Sequence, residues 1–198
     1  MELVLVRHAE AARDAAGSEQ ADPRLSEAGV AQAERVAYYL AVEEFDAIYS
    51  SPLRRAMQTA VHIGESLGLS VVEVDGLAEF DREAPEYLHF DDLRTAGDPR
   101  YFACLAGDLS AWGTDIETFR ARFMAAIDDI IDLHRAGKVV VVTHGGVLNG
   151  YLGGLIGAGQ FFFHRPDNTG ISRVVIESGH PRLVTLNECS HLRTVSAT

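Results

Sequence analysis

The chain has 198 residues, 47% hydrophobic and 23% charged, enough apolar material for one domain with or without a sizeable insertion. Its 17 Lys and Arg against 29 Asp and Glu leave a net charge of −12. That excludes a broad nucleic-acid or anionic-membrane surface and obliges any bound anion to meet a local cluster of positive charge. The two cysteines, Cys104 and Cys189, form no CxxC pair, so neither a metal site nor a disulfide framework is expected. The apolar start is short and broken by Arg7 and His8, unlike a signal peptide. The longest apolar-looking stretch, 145–156, falls short of the roughly 20 residues of a membrane span. A soluble, cytoplasmic protein is expected.

In chain order, residues 2–6 form a short β-branched and aliphatic run, which predicts a strand, and 9–23 predict a loop. Helical spacing follows over 25–40, with Val30, Ala33, Val36 and Leu40 on one stripe. Residues 47–50 read as a strand. Ser51 and Pro52 then suit the N-cap and first position of a helix whose stripe is Leu53, Met57, Ala60, Ile63 and Leu67, ended by Gly68. A strand is predicted at 70–74. Residues 79–113 are polar, aromatic and irregular, and the recurring aromatics suggest an inserted cap rather than a linker.

Thr114 and Glu117 match a capping box for a helix carried by Ile116, Phe119, Phe123, Ile127, Ile130 and Leu133 and stopped by Gly137. The unbroken Val139-Val140-Val141-Val142 run predicts a strand buried on both faces, as in parallel sheets. A helix over 145–156 and a closing hairpin, 172–177 with 182–187, complete the chain. Alternating strands and helices define an α/β fold with a mainly parallel central sheet.

Two histidines end two predicted strands: His8 follows the first and His144 the valine run. Ligands of parallel sheets bind at the carboxyl ends of strands, so the pair, with Arg7 adjacent, suggests one shared site. Either histidine alone is better read as a residue that hydrogen-bonds a loop. Arg54 and Arg55 occupy the first turn of a helix, where the macrodipole disfavours cations; an anion bound there would explain one of them and solvent the other. Gly145 and Gly146 suit close approach of backbone to a ligand, while the glycines at 146, 150 and 154 equally suit helix packing. No common nucleotide-binding fingerprint is present.

These segments resemble a known family. Arg7-His8-Ala9-Glu10, the run from Ser50-Ser51-Pro52-Leu53-Arg54-Arg55-Ala56 to Ala60, and Val140-Val141-Val142-Thr143-His144-Gly145-Gly146 are similar, in order, to three signatures of the histidine phosphatase superfamily, also called phosphoglycerate mutase-like. Leu25-Ser26-Glu27-Ala28-Gly29, Gln32-Ala33 and Asn168 are fainter echoes.

The resemblance implies a three-layer αβα sandwich forming one domain over 1–198, with the cap inserted at about 79–113. It implies a phosphomonoester hydrolase that passes the phosphoryl group through a phosphohistidine at His8. Arg7, Arg55 and His144 would bind phosphate and Glu79 would be the proton donor, with Asp81 and Glu83 as alternatives. No metal or cofactor is implied; the partner is a small phosphorylated substrate, and a homodimer is compatible. Asp14 falls near a position often held by a phosphate-touching asparagine, but an aspartate there would repel a dianion. Ala9 replaces the usual glycine, and the run that often follows the acidic residue is absent, since the chain reads Phe80-Asp81-Arg82-Glu83-Ala84-Pro85-Glu86.

Two other functions fit the motifs: a mutase returning the phosphoryl group to a bound sugar acid, and a weakly catalytic module binding phospholigands or proteins. The short segment after the second signature favours hydrolysis, and the complete Arg7, His8, Arg55 and His144 set favours catalysis. In the cap, Asp81, Glu83, Glu86, Asp91, Asp92 and Asp98 are expected to disfavour multiply phosphorylated substrates. Tyr87, Phe90, Tyr101, Phe102 and Trp112 are expected chiefly to pack the cap, with an apolar leaving-group pocket as the alternative.

Overall fold

The computed structural model describes residues 1–13 and 22–193, so Asp14 lies outside the described residues. Its sheet runs in the order β3-β2-β4-β1-β5-β6, from β1 (Glu2–Arg7), β2 (Ala47–Ser50), β3 (Val71–Glu73), β4 (Lys138–Thr143), β5 (Ile171–Glu177) and β6 (His180–Glu188). Strands β1 to β4 are parallel; β5 is antiparallel to β1 and pairs with β6 as the closing hairpin. The helices are α1 (Glu27–Leu40), α2 (Arg54–Leu67), α3 (Phe90–Ala96), α4 (Pro99–Leu105), α5 (Ile116–Leu133) and α6 (Gly145–Ile156).

Successive strand residues point to opposite faces, and here both faces are covered. Val4, Val6, Ile48, Val140 and Val142 pack with Val36 and Leu40 of α1 and with Ala56, Ala60 and Ile63 of α2. On the other side Leu3, Leu5, Val139 and Val141 join Phe119, Phe123, Ile127 and Ile130 of α5 and Leu148 of α6. Each such buried aliphatic or aromatic side chain contributes about 1.5–3 kcal/mol by leaving water. The result is the expected three-layer sandwich. Among the described residues no helix is long and apolar enough to cross a membrane.

Several local expectations change. Helix α2 begins at Arg54, and its N-cap position is Leu53 without a side-chain cap; Ser51 and Pro52 precede the helix. Asp22 reaches in from another loop to accept the Arg54 backbone N–H at 2.6 Å. Asp115, not Thr114, caps α5, accepting from the N–H groups of Glu117 and Thr118. An aspartate oxygen one residue further on meets the same orphan donors, so the capping box does not form. Val30 and Leu133, each placed on an apolar stripe, are solvent-exposed. The irregular segment holds two short helices, α3 and α4, seven residues each and too brief to show periodicity. Helix α1 is capped by Ser26, whose hydroxyl accepts the Gly29 N–H. A Cβ at Gly29 would stand 2.0 Å from the Glu10 carbonyl oxygen, so only glycine lets α1 approach the loop after β1 this closely.

Candidate active site

Strands β1, β4 and β2 lie side by side, with Arg7 opposite Thr143 and Ser50 opposite Val142. The parallel ladder continues one residue further: the His8 N–H donates to the Thr143 carbonyl at 2.9 Å, and that of Ser51 to the Val142 carbonyl at 3.0 Å. His8, His144 and Ser51 therefore emerge together at one edge of the sheet. The His8 and His144 ring centroids are 5.0 Å apart.

His8 Nδ1 lies 2.7 Å from the Ala9 carbonyl oxygen. That oxygen can only accept, so Nδ1 carries the hydrogen and Nε2 the lone pair. Burial, followed by the charges of Arg7 and Arg55, holds the His8 pKa well below the usual imidazole value, which leaves the ring neutral at pH 7. His144 is lowered well below it too, by burial first and Arg55 second. Its Nε2 is 2.7 Å from Ser51 Oγ, which also accepts the Leu53 N–H at 3.2 Å. His144 Nδ1 is buried with no hydrogen-bond partner among the described residues.

The two adjacent arginines separate as expected. Arg54 is exposed, whereas Arg55 is 1% exposed, donates from Nη2 to Asp81 at 2.9 and 3.2 Å, and places its guanidinium 4.6 Å from the centre of the Tyr87 ring. Arg7 donates from Nη1 to the Pro166 carbonyl at 2.6 Å, and its buried Nε has no hydrogen-bond partner among the described residues.

Glu79 enters from the segment after β3, which Thr143 ties to the end of β4 by donating to the Leu77 carbonyl at 2.8 Å. Its carboxyl accepts the Gly146 N–H at 2.7 Å and its own neighbour's, Phe80, at 3.2 Å. A Cβ at Gly146 would sit 2.3 Å from Glu79 Oε1, so the third signature's second glycine is required by this contact. Burial, then the Asp81 charge, push the Glu79 pKa up to about 7. Of the alternative donors, Asp81 is held by Arg55, and Glu83 is exposed and pairs with Arg82.

Arg7, His8, Arg55 and Glu79 line one cavity of about 200 Å³, with Tyr87, Phe90 and Tyr101 from the cap and Phe162 and His164 from the segment after α6. Three of the five cap aromatics thus face the cavity. Trp112 instead packs within the roof, edge-on to Phe80 at 5.2 Å, and Phe102 is exposed. The cap carboxylates do not present a bare negative face: Asp92 pairs with Arg13, Asp91 with Arg94 and Arg165, and Asp98 with Arg100. Among the described residues no cluster of three His, Cys, Asp or Glu side chains is grouped to hold a metal.

The sequence patterns missed several parts of this arrangement. Ser51 resembles a helix cap locally, and only the proximity of His144 reveals its other contact. Phe162, His164 and Pro166 belong to no motif; the Phe161-Phe162-Phe163-His164 run was the available signal. Asn168, a faint echo, donates from its amide to the His8 carbonyl at 3.1 Å.

The α/β sandwich thus ends adjacent parallel strands in two neighbouring imidazoles, with the guanidinium groups of Arg7 and Arg55 and the Glu79 carboxyl group close by. Residues 3–189 match the family described as histidine phosphatase superfamily (branch 1), and the chain belongs to that superfamily. It is 30% identical over 201 residues to a putative phosphoserine phosphatase 2 of Hydrogenobacter thermophilus, covering 98% of each chain. It is 34% identical over 155 residues to a metal-independent phosphoserine phosphatase of Arabidopsis thaliana, covering 74% of this chain and 65% of that one. The crystal structure of a mutant phosphoserine phosphatase from Entamoeba histolytica in complex with phosphoserine superposes with a TM-score of 0.76 at 29% identity, over 97% of this chain and 99% of that one.

Proposed function

We propose that this protein is a phosphomonoester hydrolase acting on a small phosphorylated metabolite of the phosphoserine kind through a phosphohistidine at His8. The observation that carries this reading is the neutral His8 ring. Its Nδ1 is committed to the Ala9 carbonyl and its Nε2 keeps a lone pair, in a cavity that Arg7, Arg55 and Glu79 also line, the last with its pKa pushed up to about 7. The Nε2 lone pair attacks phosphorus and the ester P–O bond breaks. Glu79 gives its proton to the departing alkoxide, then as a carboxylate takes a proton from the water that attacks the phosphohistidine. Inorganic phosphate and free His8 are the products. Splitting the displacement in this way replaces one difficult step with two easier ones.

Arg7, Arg55 and His144 hold the phosphoryl oxygens, whose charge a dissociative transition state spreads over all three. If the Ser51 hydroxyl donates to His144 Nε2, neutral His144 carries its hydrogen on Nδ1, the unpartnered atom, and can donate it to phosphate. A phosphate dianion would then favour the charged form of that ring by raising its pKa. The reading includes a cytoplasmic enzyme that needs no metal, the latter in keeping with the name of the Arabidopsis relative.

Rapid acid-free quenching of the protein with O-phosphoserine, 3-phosphoglycerate and other monoesters tests the proposal. Label on His8 with release of inorganic phosphate is expected, unchanged by EDTA. Label followed only by transfer to a phosphoglycerate would make the chain a mutase. Absence of label and turnover on every ester would leave a ligand-binding module.

A further inference from the structure

Asp81 stands apart from the roles assigned above. It is buried, it faces the cavity, and both of its oxygens lie within hydrogen-bonding reach of one nitrogen of Arg55. Resting on the roles proposed for Arg55 and Glu79, the geometry points to Asp81 as a positioning residue of the reaction. It fixes the guanidinium that grips phosphate, and it places a negative charge in the same cavity as the proton donor.

The first half of the argument is steric. An arginine has four rotatable side-chain bonds, and a guanidinium displaced by an ångström loses its grip on a transferring phosphoryl group. The cap constrains Arg55 at two points: Asp81 engages Nη2 at 2.9 Å, and the guanidinium carbon lies over the Tyr87 ring, 4.6 Å from its centre. The cap thus supplies the second side of a clamp whose arginine belongs to the sheet scaffold.

The second half is electrostatic. The charged and titratable groups that act on Glu79 come from β1 (Arg7), α2 (Arg55), the cap (Asp81, Tyr87 and Cys104) and α5 (Arg122). Among the described residues that act on it, the negative charge at neutral pH is that of Asp81. Two buried carboxyl groups two residues apart do not ionise equally. The one paired with Arg55 takes the charge, although burial raises its pKa too, and the other keeps the proton. The same division assigns acid and base in other carboxylate pairs. Burial is the larger reason Glu79 keeps its proton for the first step, and the Asp81 charge adds to it against the pull of Arg55.

The test compares wild type with Asp81→Asn and Asp81→Glu. Single-turnover phosphorylation of His8 by an alkyl phosphate is followed from pH 5 to 9, with inorganic phosphate as a competitive ligand. For Asp81→Asn, phosphorylation at pH 7 is expected to fall on the order of tenfold to a hundredfold. Phosphate inhibition should weaken several-fold. The basic limb of the profile should move about one unit toward lower pH, because removing a negative neighbour lowers the Glu79 pKa and the proton is lost sooner. Asp81→Glu, which keeps the charge, should restore the position of the limb even where the rate stays low. A basic limb that does not move in Asp81→Asn overturns the proposal, as does a limb equally displaced in both variants. Should Asp81→Asn not fold, Asp81→Glu with an unmoved limb supports the inference and with a displaced limb refutes it. Failure of the underlying mechanism is separable, because wild type itself would then form no phosphohistidine.

Discussion

The floor and the roof of the cavity are built on different principles. The floor is the carboxyl end of the central strands, where His8 and Ser51 extend the parallel ladder, His8 meets a main-chain carbonyl and His144 meets Ser51. The roof, residues 79–113, meets the scaffold through aromatic edges such as Phe80–Phe119 and exposed ion pairs such as Arg13–Asp92 at 2.6 Å. A buried charge that loses its partner is costly, whereas an exposed pair is screened and contributes little. The floor therefore tolerates almost no rearrangement and the roof a good deal. The sheet holds the reacting geometry, and the roof is the part free to vary with the leaving group. Glu79 and Asp81 are the exceptions, roof residues bonded into the floor at Gly146 and Arg55.

That contrast can be broken most directly at the floor. His8→Ala should cost on the order of 10⁴-fold or more in kcat, with no label at His8, measured by phosphate release and intact-protein mass. Retained turnover would remove the nucleophile from the scheme.

Glu79→Gln should cost roughly 10²–10⁴-fold with an alkyl phosphate and far less with p-nitrophenyl phosphate, whose leaving group needs no proton. In wild type, kcat/KM should be flat down to a limb well below pH 6.5, where His8 begins to protonate. It should fall as pH rises through about 7, where the free enzyme loses the Glu79 proton. An equal loss on both esters would show that Glu79 only shapes the cavity.

Arg55→Ala strands the buried Asp81 carboxylate and should destabilise the fold by about 3–5 kcal/mol in urea unfolding, besides weakening phosphate binding. At the rim where the roof meets the loop after β1, Arg13→Ala removes the exposed pair with Asp92 and should leave the melting temperature unchanged, while shifting KM between substrates more than kcat. Comparable destabilisation by the two arginine changes would erase the distinction between floor and roof.

The same contrast explains how much of the molecule was legible in its residues. The floor could be read because its parts are contiguous: a strand must be followed by its own loop, so Arg7-His8 and Thr143-His144 are placed by the strands before them. Which of Arg54 and Arg55 turns inward depends on where α2 sits, and the pattern could offer only the pair. Ser51 and Thr114 satisfied local capping rules that tertiary neighbours overruled: His144 engages the first hydroxyl, and Asp115 displaces the second. The roof was opaque for a plainer reason. Its helices are two turns long, its aromatics serve both packing and lining, and its carboxylates find arginines distant in the sequence, as Asp91 finds Arg165 and Asp92 finds Arg13.

The hydrogen bond from His8 Nδ1 to the Ala9 carbonyl has one more consequence. On the proposed route, Nε2 takes the phosphoryl group while Nδ1 keeps its hydrogen, so the intermediate is a phosphorylated imidazolium. The carbonyl dipole is aimed at the nitrogen sharing that new positive charge and holds the hydrogen in place. The ring can then depart from phosphorus as a neutral imidazole. A bond that first orients an attacking atom thus also makes it a good leaving group, and the covalent intermediate is built to be short-lived.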